Sequence, residues 1–162
     1  MMPVASYNCN ISAGTTMSVQ HTQLMIHTLA MHQPWWPECC RIRQRVFIEE
    51  QQVPVDLEWD ESDETATHLL ASLNGQAVAC ARVVPEGYIG RMAVLPEWRG
   101  QGIGEALLLQ AINLCRQFEV SHARLSAQTH AIGFYQQAGF EVCSEPYLDA
   151  NILHVDMQLE LV

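Results

Sequence analysis

"RMAVLPEWRGQGIGEALLLQA", residues 91–111, sets an apolar strand-like run, a proline turn and glycines at 100, 102 and 104 directly before a helical pattern. A helix N-terminus leaves four backbone N–H groups without intrahelical partners and carries a partial positive charge. Glycines leading into it remove the side chains that would keep an anion away from those amides, so the arrangement predicts a phosphate cradle. Arg99 adds a formal charge at its edge. A single glycine would need no more than a tight turn to explain it; three alternating ones after Arg99 favour a ligand.

Two common phosphate motifs do not fit. A P-loop needs GxxxxGK[ST], and all eight basic residues of this chain are arginine. The dinucleotide fingerprint GxGxxG fails because the third glycine arrives one residue early and Glu105 stands where glycine or alanine belongs. The preceding strands also read as antiparallel rather than as a βαβ unit.

Outward from the turn, "THLLASL" and "QAVACARVV" flank Asn74-Gly75, the dipeptide that best tolerates a type I′ hairpin turn. A third strand, 88–95, follows naturally as an antiparallel neighbour. Residues 101–117 read as a helix with Ile103, Leu107, Ala111, Leu114 and then Phe118 on one face. Residues 123–128 read as a short strand and 130–140 as a helix ending at Gly139. The C-terminal stretch holds two more strands, the last alternating Leu153, Val155, Met157, Leu159 and Leu161. Upstream, 24–30 is a first strand, and "ECCRIRQRVFIEEQ" repeats apolar residues at Cys39, Ile42, Val46 and Phe47 with charges on the opposite helix face. The acidic stretch "DLEWDESDE", 56–64, reads as a solvated loop or as a rim that attracts a cation.

Composition bounds the function classes. At 162 residues, 49% hydrophobic and 16% charged, the chain suits a single core. Residues 1–23 are polar and aperiodic, a loose extension, and 24–162 form one domain. A net charge of −10 argues against nucleic acid and anionic membranes as partners and is weakly compatible with a cationic substrate. No apolar run approaches the ~20 residues of a membrane span, and no basic-then-apolar leader opens the chain, which places the protein in the cytoplasm. Cys9, Cys39, Cys40, Cys80, Cys115 and Cys143 lack CxxC spacing and read as buried free thiols, with Cys115 and Cys143 in the core. Without HxxxH or CxxC spacing no metal is expected.

The segment Arg99-Gly100-Gln101-Gly102-Ile103-Gly104 matches the acyl-CoA signature [RQ]xxGx[GA], and here the chain resembles the GNAT superfamily of N-acetyltransferases. The likeness extends through "LSAQTHAIGFYQQAGF" (125–140) and the order of elements from 24 to 162. "RVFIEEQQVPVDLEWDESDETATHLL" and "ILHVDM" are similar to the bacterial ElaA/YjcF-like group. The resemblance implies an α/β (α+β) fold: a mixed, mainly antiparallel six- to seven-stranded sheet flanked by about four helices. It also implies a splay between strands four and five, here 88–95 and 123–128.

It implies as well an acetyl transfer from acetyl-CoA to a primary amine of a small molecule or peptide, by direct attack in a ternary complex. The backbone of Met92, Ala93 and Val94 would pair with the pantetheine arm, and an N–H near Met92 or Val94 would polarise the thioester. Amides from Arg99 to Gly104 would hold the pyrophosphate, and Gln128 would contact the cofactor arm. Tyr135 would protonate the departing thiolate, its alternative being a core aromatic. The base stays open among Glu49, Glu50, Glu58, Asp60, His68, His130 and His154. Another acyl donor, such as propionyl- or succinyl-CoA, and a CoA-sensing module without catalysis stay open too. The resemblance is compatible with a homodimer.

Overall fold

The computed structural model describes residues 6–7 and 22–161, so the expected extension over 1–23 lies almost wholly outside the described residues, as does Cys9. The chain order is β1 (Ser6–Tyr7), β2 (Leu24–Leu29), α1 (Trp36–Arg43), α2 (Val55–Glu58), α3 (Ser62–Thr65), β3 (Thr67–Leu73), β4 (Gln76–Val83) and β5 (Tyr88–Val94). Then come α4 (Ile103–Gln117), β6 (His122–Gln128), α5 (Ile132–Gln137), β7 (Glu141–Val142), β8 (Tyr147–Asp149) and β9 (Ile152–Glu160). The sheet runs β1-β2-β3-β4-β5-β6-β9-β7, with β8 also on β9. Every pair is antiparallel except β5–β6. The mixed sheet and flanking helices are those expected. Three short edge strands, β1, β7 and β8, bring the count to nine rather than six or seven.

Two apolar layers sandwich the sheet. α4 buries Ile103, Leu107, Ala111 and Leu114 against Leu69, Val78, Ile89 and Met157 on one face. α1 buries Cys39 and Ile42 against Leu70, Cys80 and Ala93 on the other. Each fully buried Leu or Ile stabilises by about 1.5–3 kcal/mol, and a helix exposing that stripe to water would lose it. The hairpin turn forms at Asn74 and Gly75, both at positive φ (50° and 83°). Gly139, at φ 96°, ends α5 as expected.

Beyond Arg43 the helix widens to π geometry over Gln44–Glu50, where Gln51 N–H bonds Val46 O at 3.1 Å, five residues back. Charges do not keep strictly to the outer face of this helix, because Arg43 is only 1% exposed. Cys39, Cys80 and Cys115 are buried free thiols, Cys40 is half-buried, and Cys143 is exposed rather than in the core. Cys143 follows β7, a two-residue edge strand whose residues both face solvent, so no second layer covers it. Among the described residues no helix is long and apolar enough to cross a membrane.

Candidate active site

The site begins with an interrupted sheet. β5 pairs with β6 only at Tyr88–Arg124 and Ile89–Leu125, so among the described residues its edge from Gly90 to Val94 has no strand partner on that side. On the other side Cys80 faces Ala93 while Arg82 faces Gly90, so two β5 residues, Arg91 and Met92, oppose Ala81 alone. Such a bulge bends a strand and leaves part of its ladder unpaired. Arg91 adopts φ 49°, a conformation that costs a non-glycine residue about 1 kcal/mol or more. Its guanidinium holds it there by donating to Glu58 O at 3.1 Å and Asp60 Oδ2 at 3.1 Å.

The glycine turn lies beside this open edge. Gly100 and Gly102 sit at φ 72° and 80°, and a Cβ on either would meet nothing within 4 Å, so both face open space. Gly102 caps α4 with no side-chain hydrogen bond, which leaves the first amides free for a guest. At Gly104 a Cβ would sit 3.5 Å from both Phe134 and Val94, so glycine keeps the helix close to the cleft wall. Trp98, on the same wall, has a buried Nε1–H with no partner among the described residues. Arg99 is already engaged: its two terminal nitrogens donate to the two oxygens of Glu50 at 2.7 Å each, and Nε donates to Val94 O at 2.9 Å. That pairing holds the Glu50 carboxyl below its ordinary range. Gln101 is exposed and reaches back to Glu97 O at 3.4 Å.

The strand edge, the glycine turn and α5 enclose a cleft of 1090 Å³, lined among others by Met92, Ala93, Val94, Arg99, Gly100, Gly102, Ile103, Gly104, Gln128 and Tyr135. All expected site residues except Gln101 therefore meet on one surface. Tyr135 packs edge-on against Phe134 and Phe140, and its hydroxyl points to Met92 Sδ at 4.0 Å. Burial pushes its phenol up to about 12, so it stays protonated at neutral pH. Gln128 exchanges two side-chain hydrogen bonds with Gln51, at 2.8 and 3.4 Å, joining the end of β6 to the end of the π-helix.

The acidic stretch is solvated only in part: Asp56, Glu61 and Glu64 are exposed, as expected of a loop, but Glu58, Asp60 and Asp63 are paired with arginine. α2 and α3 turn Glu58 (2% exposed) and Asp63 (4%) inward. Arg43 Nε donates to Glu58 at 2.7 Å and its Nη1 to Asp63 at 2.8 Å, with the guanidinium 4.6 Å from the Trp59 ring centre. Arg82 donates to Asp60 at 2.6 Å and to Asp63 at 3.0 Å. Three arginines thus neutralise three carboxylates, the condition under which buried charge is tolerated. Burial raises the Glu58 carboxyl despite Arg91 and Arg43. Burial also opposes ionisation of Asp63, but Arg43 and Arg82 outweigh it and hold the acid below its ordinary range.

This network also sorts the candidate bases. Glu50, Glu58 and Asp60 are each committed to arginine. His68 is buried against Trp36 with Nε2 on Asp63 O at 3.0 Å, and burial lowers its pKa. Glu49 is exposed, its nearest side-chain partner being Gln44 at 3.5 Å. His130 and His154 both line the cleft. The roles of Gln51, Arg82 and Arg91 had no local sequence signal, since their partners lie far away in the chain.

A β-bulged strand, a splayed parallel pair and a glycine turn opening a helix define an acyltransferase of the GNAT architecture. The acetyltransferase (GNAT) domain matches residues 36–161, and the chain belongs to that family. UPF0039 protein C11D3.02c of Schizosaccharomyces pombe is 41% identical over 128 residues, 74% of this chain and 84% of its own length. ElaA of Escherichia coli is 30% identical over 130 residues, 75% of this chain and 85% of its own. The ElaA crystal structure superposes with a TM-score of 0.75 at 28% identity, covering 85% of this chain and 99% of that one. An acyl-CoA N-acyltransferase structure from Pseudomonas aeruginosa gives 0.74 at 30% identity, covering 83% and 98%.

Proposed function

We propose that the protein transfers an acetyl group from acetyl-CoA to a primary amine of a small molecule or peptide, by direct attack in a ternary complex. The observation that carries this reading is the unpaired β5 edge, Gly90 to Val94, lying against the glycine turn and Tyr135. The pantetheine amides can pair with that edge as an added strand would. Amides of Gly100 to Gly104 suit the pyrophosphate. A β5 amide near Met92 or Val94 would meet charge as it develops on the thioester oxygen. Tyr135, neutral and facing Met92, would give the departing sulfur its proton. Gln128 would exchange Gln51 for the donor arm.

The test is an acyl-transfer assay over a panel of primary amines with acetyl-, propionyl- and succinyl-CoA. Tyr135→Phe is expected to keep CoA binding and to lose about 10²–10⁴-fold in kcat, the range for removing a general acid. Transfer left intact in Tyr135→Phe would reduce Tyr135 to a core aromatic. CoA binding with no transfer to any amine would favour a sensing module.

A further inference from the structure

We propose that His154 is the general base that takes the acceptor's proton, with Nε2 as the accepting atom; this rests on the acyl-transfer reading above. The contact that fixes the tautomer is Nδ1 to Ile152 O, at 2.7 Å. A carbonyl oxygen only accepts, so the hydrogen sits on Nδ1 and Nε2 keeps its lone pair. His154 lines the cleft, as does Ile152.

Register places it beside a cleft residue that the donor arm would contact. On β9 it stands opposite Gln128 of β6, the residue at the cleft mouth. Strand alternation sets it out of phase with Val155 and Met157, which belong to the layer under α4 where Tyr135 also packs. Base and acid therefore belong to opposite faces of the sheet, with the gap between β5 and β6 between them. An amine attacking a thioester in that gap would have its nitrogen on the His154 side and the departing sulfur on the Tyr135 side.

The other candidates leave this role vacant, because Glu50, Glu58 and Asp60 are held by arginines and His68 is buried away from the cleft. The titratable groups near His154 are Tyr147 of β8 and Asp156 of its own strand, and Tyr88, His130 and Asp149 line the same cleft. Tyr147 stacks on the imidazole at 6.1 Å and donates to Asp156 at 2.6 Å. Burial, and then the Asp156 bond, push the Tyr147 phenol up to about 12, so that neighbour stays uncharged while the imidazole works.

The protons balance as follows. The acceptor ammonium gives one proton to His154 Nε2 and so gains the lone pair that forms the C–N bond. The tetrahedral adduct collapses with the C–S electron pair going to sulfur, which takes the Tyr135 proton. The nitrogen's second proton restores Tyr135, and His154 releases its proton to water. The net products are the amide, free CoA thiol and one proton.

The experiment compares two acceptors in wild type, His154→Gln and His130→Gln: the best primary alkylamine of the panel, and its O-alkylhydroxylamine analogue, already neutral at pH 7. For His154→Gln the alkylamine kcat/KM is expected to fall about 100-fold at pH 7, with a rate climbing tenfold per pH unit towards the amine's own pKa. The hydroxylamine should lose less than about threefold, since no base is needed. The melting shift induced by CoA should be unchanged. Equal losses for both acceptors, an unaltered pH profile, or the selective pattern in His130→Gln instead would overturn the assignment. A wild type that binds CoA yet acylates no amine would overturn the transfer reading itself, and this assignment with it.

Discussion

The two sides of the cleft are built from different materials. On one side the backbone does the work: a bulged, unpaired strand edge and a glycine turn at φ 72° and 80° present amides to open space. On the other, side chains do: Arg43, Arg82 and Arg91 hold Glu58, Asp60 and Asp63, and Glu58, Arg82 and Arg91 line the same cleft as His154. A backbone site suits a ligand whose polar groups repeat, such as a pantetheine arm and its pyrophosphate. A side-chain site can be re-specified by a few substitutions. On the function proposed above, the difference assigns donor recognition to the chain path and acceptor recognition to the side chains.

The most damaging way to break this contrast is Arg43→Met. It removes the closest partner of both buried acids, leaving Glu58 only Arg91 at 3.3 Å and Asp63 only Arg82 at 3.0 Å, and the expected loss is about 3 kcal/mol in urea unfolding. A loss below 1 kcal/mol would mean that the network is solvated and that the two sides do not differ in kind.

Acid should weaken the side-chain region first. Burial lowers the His68 pKa from 6.5, so between the folded and unfolded values the unfolded chain binds more protons. The contribution of His68 is complete above about pH 6.5 and declines as pH falls below it. Urea midpoints at pH 7.5, 6.5 and 5.5 should fall across that window, and less so in His68→Gln. Burial also lowers His27, which leaves part of the slope in the variant.

The smallest effect falls where the two sides touch. Arg99 and Glu50 are 43% and 39% exposed, so their bond contributes under about 1 kcal/mol after solvent screening. Glu50→Gln should therefore barely change stability. It frees Arg99 for the pyrophosphate, and CoA binding measured by calorimetry should tighten a few-fold. Weaker binding would show instead that Glu50 positions Arg99 for the ligand.

The backbone side was largely legible in the sequence. Proline, three alternating glycines and the apolar face from Ile103 to Leu114 each have a local physical meaning, and Asn74-Gly75 set the hairpin. The bulge was not legible, because it puts an arginine at positive φ, which no propensity foretells; contacts with Glu58 and Asp60 hold it there. The acidic stretch was legible only in its exposed half, Asp56, Glu61 and Glu64; the arginines that neutralise Glu58, Asp60 and Asp63 lie at 43, 82 and 91, in three other elements. Cys143 misled, since an apolar flank says nothing about whether an edge strand is covered. His154 could be named as a candidate, but what separates it from the others is tertiary: arginines hold Glu50, Glu58 and Asp60, His68 is buried, and Nδ1 of His154 meets Ile152 O.

The most direct test of the central claim is thermal melting of the protein with acetyl-CoA, CoA, NAD and ATP at matched concentrations. A ligand at 100 times its dissociation constant adds about 2.7 kcal/mol, roughly 5–10 °C for a chain of this size. The account predicts that shift for the two CoA species and not for NAD or ATP. A cooperative melt that neither CoA species moves would contradict it, leaving the glycine turn a turn and the open edge of β5 without a guest.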